Sequence, residues 1–165
     1  MFGGWTVDQN LTATCDRADP NTGGGRFCDQ TTFGMPYRSD FKVAGNHPLP
    51  RGFDAAATFI SYAGSPLSVN WVIPANLFPG GRTQVETVPL IRPGTKYLKR
   101  WNQLDANLKK LFRLKRVQLS GELDVYNVLN SSVVLSEIQT FGSALGQPQS
   151  FLQGRLARLA LQMKF

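Results

Sequence analysis

The clearest pattern in the chain lies at residues 117–126. Val117, Leu119, Gly121, Leu123 and Val125 alternate with Gln118, Ser120, Glu122, Asp124 and Tyr126. Period two puts one set on each side of a β-strand, whereas a helix would scatter the same apolar residues around its circumference. The length also suits a tilted membrane-crossing strand, which takes about 9–11 residues. Four other stretches follow the same rule and predict strands near 37–46, 53–62, 101–111 and 154–165, beside the one at 117–127. Phe41, Val43 and Gly45 oppose Arg38, Asp40, Lys42 and Asn46. Phe53, Ala55, Ala57 and Phe59 oppose Asp54, Ala56, Thr58, Ile60 and Tyr62. Leu104, Ala106 and Leu108 oppose Gln103, Asp105, Asn107 and Lys109. Ala157, Leu159, Leu161, Met163 and Phe165 oppose Arg158, Gln162 and Lys164.

A helical reading competes at two places. Leu104, Leu108, Leu111 and Phe112 fit helical spacing, as do Leu152, Leu156, Leu159 and Met163. Taken alone, 101–116 reads as a basic amphipathic helix lying on a membrane. The run at 117–126 resists that reading, and a lone strand needs partners. Strands therefore account for the whole set.

The connections alternate in length. Pro48-Leu49-Pro50-Arg51-Gly52 makes a tight break, and Arg113–Arg116 a second one. Between them, 64–100 is long and punctuated by Pro66, Pro74, Pro79-Gly80-Gly81, Pro89 and Pro93-Gly94, and 129–153 is long and polar. Short turns alternating with long loops are the asymmetry of an outer-membrane barrel, with its short periplasmic turns and long extracellular loops. The predicted fold is all-β: an antiparallel up-and-down transmembrane β-barrel segment of about five strands with long extracellular loops, too few to close a barrel. Residues 1–36, rich in turn signals, read as an extracellular loop, and the last strand ends on the periplasmic side.

Composition narrows the alternatives. The chain is 42% hydrophobic and 18% charged, which excludes disorder over its whole length. Its net charge of +7 and pI near 9.8 suit an anionic partner. No nucleic-acid-binding motif accompanies the basic residues, so nucleic acid is not an expected partner. Met1-Phe2-Gly3-Gly4-Trp5 lacks the basic start and apolar core of a signal peptide, and no apolar run of about 18 residues predicts a membrane helix. Cys15 and Cys28 flank a short polar loop, spaced for one disulfide in an oxidising compartment or for two free thiols. Two cysteines without a nearby histidine fall short of a zinc site.

No catalytic, metal or cofactor site is expected. His47 is the lone histidine, and no serine sits in a nucleophile elbow. Asp16, Asp19 and Asn21 lack calcium-loop spacing, and Gly80-Gly81-Arg82-Thr83 lacks the spacing and lysine of a phosphate loop. Glu122 and Asp124 are better read as lumen-facing carboxylates paired with bases on neighbouring strands than as an acid pair for catalysis.

A resemblance enters at the last strand. Arg158-Leu159-Ala160-Leu161-Gln162-Met163-Lys164-Phe165 looks like the signal read by the barrel-assembly machinery: a terminal aromatic (Phe165), a hydrophobic residue two places earlier (Met163) and a polar start (Arg158), with Ala160 in place of the usual glycine. Cys15-Asp16, Phe27-Cys28-Asp29-Gln30, Phe33-Gly34-Met35-Pro36-Tyr37-Arg38, Asn76-Leu77-Phe78-Pro79-Gly80-Gly81-Arg82-Thr83, Trp101-Asn102-Gln103-Leu104-Asp105 and Asp124-Val125-Tyr126-Asn127-Val128-Leu129-Asn130 extend the likeness. Together these segments resemble the C-terminal barrel of TonB-dependent receptors of the type with an Oar-like barrel and a carboxypeptidase-regulatory-like domain. Barrels of that size have about 22 strands, so the likeness covers the end of the architecture.

The resemblance implies a bacterial outer-membrane location and uptake of a scarce nutrient. It implies as partners the outer-membrane lipid, the remainder of the barrel and a plug, the barrel-assembly machinery and, indirectly, TonB. It makes Trp71, Phe78, Arg82, Tyr97 and Phe141 candidate ligand contacts in the long loops, with packing of the loops as the competing role. Tyr62, Trp101 and Tyr126 become candidates for the outer aromatic girdle. Two other classes stay open: a β-rich structural protein assembling through open strand edges at 37–46 and 154–165, and a secreted binding module held by Cys15 and Cys28.

Overall fold

The computed structural model describes residues 1–13, 26–34, 36–77, 85–114 and 117–164. Among the described residues ten strands run in order: β1 (Phe2–Asp8), β2 (Arg38–Leu49), β3 (Phe53–Tyr62), β4 (Asn70–Ile73), β5 (Glu86–Pro89), β6 (Trp101–Leu114), β7 (Val117–Tyr126), β8 (Val134–Glu137), β9 (Pro148–Phe151) and β10 (Leu156–Lys164). No α-helix occurs among the described residues. Six strands form one sheet in the order β1-β2-β3-β6-β7-β10, every neighbouring pair antiparallel. Each long strand lies beside the next long strand in the chain, so the sheet is an up-and-down meander. It is open: β1 and β10 are its two edges. The remaining strands form two small hairpins, β4–β5 and β8–β9, inside the long connections.

All five predicted strands are present. Residues 1–36 are not wholly loop, however, because β1 pairs with β2 from Phe2↔Ala44 to Asp8↔Arg38. Gly3 and Gly4 hide the alternation of this strand, which only the pairing with β2 reveals. A side chain on Gly3 would crowd the Lys42 and Val43 backbone.

The connections keep their asymmetry. Pro50–Gly52 is a tight 3₁₀ turn joining β2 to β3. Pro50 suits its first position, and Arg51 and Gly52 take left-handed backbone angles, φ 64° and 76°. Only residues 115 and 116 separate β6 from β7. The connections β1–β2, β3–β6 and β7–β10 are long and leave from the opposite end of the sheet.

Burial is inverted relative to a water-soluble sheet. Ala44 is the one buried apolar residue among those described, while the polar Asp124 and Asn127 are 6% and 2% exposed. Leu159, Leu161 and Trp5 are 79%, 70% and 70% exposed. A single sheet in water needs a second layer over its apolar face, and the described residues provide none.

Candidate functional site

Directly opposed residues of antiparallel strands share a face, so the register assigns every side chain. One face carries Trp5 and Val7 on β1, Phe41, Val43 and Gly45 on β2, and Phe53, Ala55, Ala57 and Phe59 on β3. It continues with Leu104, Ala106 and Leu108 on β6, alternate residues from Val117 to Val125 on β7, and Ala157 to Met163 on β10. One cross-row reads Gly45-Ala57-Ala106-Val125-Ala157, and the next His47-Ala55-Leu108-Leu123-Leu159. The apolar runs thus fuse into one surface across the sheet. Along β7 it spans about 27 Å at 3.4 Å per residue, or about 19–22 Å of height at a barrel strand's tilt of about 35–45°, most of the roughly 25 Å apolar band of outer-membrane barrels.

The surface has polar and aromatic margins. At the long-loop end Arg100 donates to Ser61 Oγ at 3.0 Å and to the Ser39 carbonyl. Trp5 and Phe41 lie opposite each other near that end, and the Trp5 indole N–H donates to Ser39 Oγ at 2.9 Å. Phe53 and Phe112 lie toward the short-turn end. The expected girdle of Tyr62, Trp101 and Tyr126 needs correcting. Tyr62 and Trp101 are register partners with rings 5.1 Å apart. All three nevertheless share the parity of Asp54, Gln103 and Asp124 and so belong to the polar face.

The polar face is held by charge-assisted bonds. Asn107 Nδ2 donates to Asp124 at 2.6 Å and to Glu122 at 2.7 Å. Arg158 reaches Asp124 Oδ2 through Nε and Nη2, both at 2.8 Å. Asp124 therefore pairs with a base on the neighbouring strand, as the sequence predicts. Glu122 bonds Asn107, with Lys109 its register partner across the strands. Nearer the loops, Asp40 accepts from Arg38 and from the Ala63 N–H, both at 2.8 Å.

The three long connections knit into a crown at one end of the sheet. Arg92 bonds Asp29 at 2.8 Å. Phe33 donates its N–H to the Tyr97 hydroxyl at 2.7 Å, and their rings are 4.6 Å apart. Asn70 donates to the Gln139 carbonyl and accepts from the Phe141 N–H, both at 2.8 Å. The Thr31 hydroxyl and backbone N–H, with the Arg92 guanidinium, hold the Asp29 carboxyl down at about 2. Gly64 opens the second connection where a Cβ would collide with the Leu98 carbonyl oxygen. Asn127 closes β7: it takes a left-handed φ of 51°, its N–H donates to Asp105, and its amide donates to the Ser131 and Gln153 carbonyls.

The candidate ligand contacts divide. Trp71 on β4 and Phe141 are exposed, and the Asn70–Thr140 bridge brings the neighbouring residues of the two together. Tyr97 instead packs the first two long connections together, so the competing structural role fits it. Phe78 and Arg82 lie outside the described residues, as does Phe165 of the assembly signal. Arg158 and Ala160 of that signal are on the polar face of β10, and Met163 is exposed on the apolar face. The Cys15–Cys28 disulfide is not present in the described structure: Cys28 is a free cysteine, and Cys15 lies outside the described residues. Sequence reasoning missed Arg100 and Asn127, whose partners are distant or depend on a left-handed turn.

Comparison with known proteins finds no matching family model, curated protein or solved structure. The class that the fold defines is an all-β chain whose main element is an open antiparallel meander with one polar and one apolar face.

Proposed function

We propose that this chain is the C-terminal part of the β-barrel of a TonB-dependent outer-membrane transporter. One observation carries the reading: most of the large apolar side chains of six strands lie in register on one face, while carboxylate and guanidinium groups bond one another on the other. Lipid satisfies the first face and a watery lumen the second. Short turns at one end and long, mutually bonded connections at the other support the same orientation, with the crown outside the cell and the short turns in the periplasm. Strands beyond β1 and β10 would come from the remainder of the receptor, with a plug inside. The crown, with Trp71 and Phe141 at its surface, would meet the scarce nutrient, and TonB would supply energy through the plug. The C-terminal strand would be read by the barrel-assembly machinery.

Fractionation of a bacterium producing the chain with its native flanking sequence tests this. The reading predicts that it stays in the outer-membrane pellet after alkaline extraction. Recovery in the soluble fraction would overturn it. A second reading, a self-assembling β-protein, is favoured by the open edges of β1 and β10, since unpaired strands template further pairing. That reading predicts regular oligomers in detergent-free buffer and no association with vesicles.

A further inference from the structure

The apolar face is not uniform. At its centre lies a notch of about 830 Å³, within the roughly 300–1,000 Å³ of small-molecule sites. Its floor is made of small residues, Gly45, Ala55, Ala57 and Ala106, on three adjacent strands, with Phe59 and Leu108 among its walls. A face that only met disordered lipid tails would not need a floor of four small residues together. His47 lines the short-turn end of the notch, and a lysine stands just beyond it. One register row below Leu108, Lys110 interrupts the apolar run of β6 and pairs with Phe53. The Lys110 ammonium stands 4.0 Å from the Phe53 ring centroid and bonds the Arg51 carbonyl. No carboxylate bridges Lys110 or Arg51 among the described residues.

We propose that this notch binds one anionic phospholipid, with an acyl chain along the small-residue floor and its phosphate at Lys110. The proposal rests on the membrane reading above and adds a specific ligand to it. Charge complementarity selects the occupant: an apolar trough ending in a lysine that no carboxylate among the described residues neutralises matches an anionic headgroup on a hydrocarbon tail. The position of Lys110 at the short-turn end assigns the lipid to the leaflet on that side.

Native mass spectrometry of the full chain in nonionic detergent tests the assignment, using phosphatidylglycerol and phosphatidylcholine with identical acyl chains. A cation beside a lipid headgroup contributes a preference of about fivefold. The expected result is one retained phosphatidylglycerol, favoured about fivefold or more over phosphatidylcholine. Lys110→Gln should reduce phosphatidylglycerol to the level of phosphatidylcholine, Ala57→Leu should remove both adducts, and Lys164→Gln, on the other face, should change neither. Should Ala57→Leu fail to fold, the Lys110→Gln comparison decides alone. Equal binding of the two lipids, unaffected by Lys110→Gln, would overturn the proposal, as would a dimer dispersed by Ala57→Leu with no lipid adduct. Vesicle flotation separates the two levels. A chain that floats without lipid preference sinks this site alone, whereas one that does not float sinks the membrane reading with it.

Discussion

Leu159→Arg separates a lipid-covered face from a water-covered one. Leu159 lies opposite Leu123 in the register of β10 on β7 and is 79% exposed. At about 3.4 Å per residue it stands roughly 10 Å from the Leu156 end of the strand and 17 Å from the Lys164 end, well inside the apolar band. In water, an exposed substitution of this kind changes stability by about 0.5 kcal/mol or less. In lipid, an arginine near the bilayer midplane costs about 2–4 kcal/mol, equivalent to a roughly 30- to 900-fold fall in the folded-to-unfolded ratio. Gln162→Arg supplies the control, since Gln162 is on the polar face of the same strand opposite Ser120. Urea titration of both variants in lipid vesicles reads the difference. Leu159→Arg should lose stability on the scale given and Gln162→Arg should stay near the parent. Equal effects, or a loss below about 0.5 kcal/mol at Leu159, would refute the assignment of faces.

Other consequences concern the polar face and the crown. Asp124→Ala should destabilise the sheet, because it strips both Asn107 and Arg158 of an acceptor; denaturant midpoints should fall further than for Lys164→Gln. The Asp29 carboxyl lies below its ordinary value of 3.8, at about 2, so its bonds from Thr31 and Arg92 contribute fully above pH 3.8 and are lost as pH falls through 2. A carbon-detected NMR titration of Asp29 should therefore show no protonation at pH 4. Tyr97→Phe removes the acceptor of the Phe33 N–H and should cost about 1 kcal/mol, read as faster proteolysis in residues 26–34. Gly64→Ala should disturb the start of the second connection, visible as lost amide protection at Leu98.

The strand pattern was legible because side chains on a half-covered strand must alternate, and five runs do so over nearly their whole length. The turn asymmetry was legible because Pro50 and Gly52 mark a tight connection. What escaped lacks local signal. In β1, Gly3 and Gly4 remove half the pattern. The four-residue strands of β4–β5 and β8–β9 are too short for periodicity to register. Tyr97 was a candidate ligand contact with loop packing as the competing role, and nothing local separates the two because its partner, Phe33, is 64 residues away. The aromatic girdle was misassigned for another reason: Tyr62, Trp101 and Tyr126 have the right height at the strand ends, but their parity with Asp54, Gln103 and Asp124 already placed them on the polar side. Trp5, Phe41, Phe53 and Phe112 are the aromatic residues that the register puts at the margins of the apolar band.

Site-directed spin labelling along β7 tests the central claim most directly. Single cysteines from Val117 to Tyr126, in a chain with Cys15 and Cys28 replaced by serine, are labelled in vesicles and probed with oxygen and with a water-soluble nickel complex. The account predicts high oxygen and low nickel accessibility at Leu119, Gly121, Leu123 and Val125, with the reverse at Gln118, Ser120 and Glu122. Nickel reaching both parities equally would mean that water covers both faces, and would contradict the membrane-barrel reading.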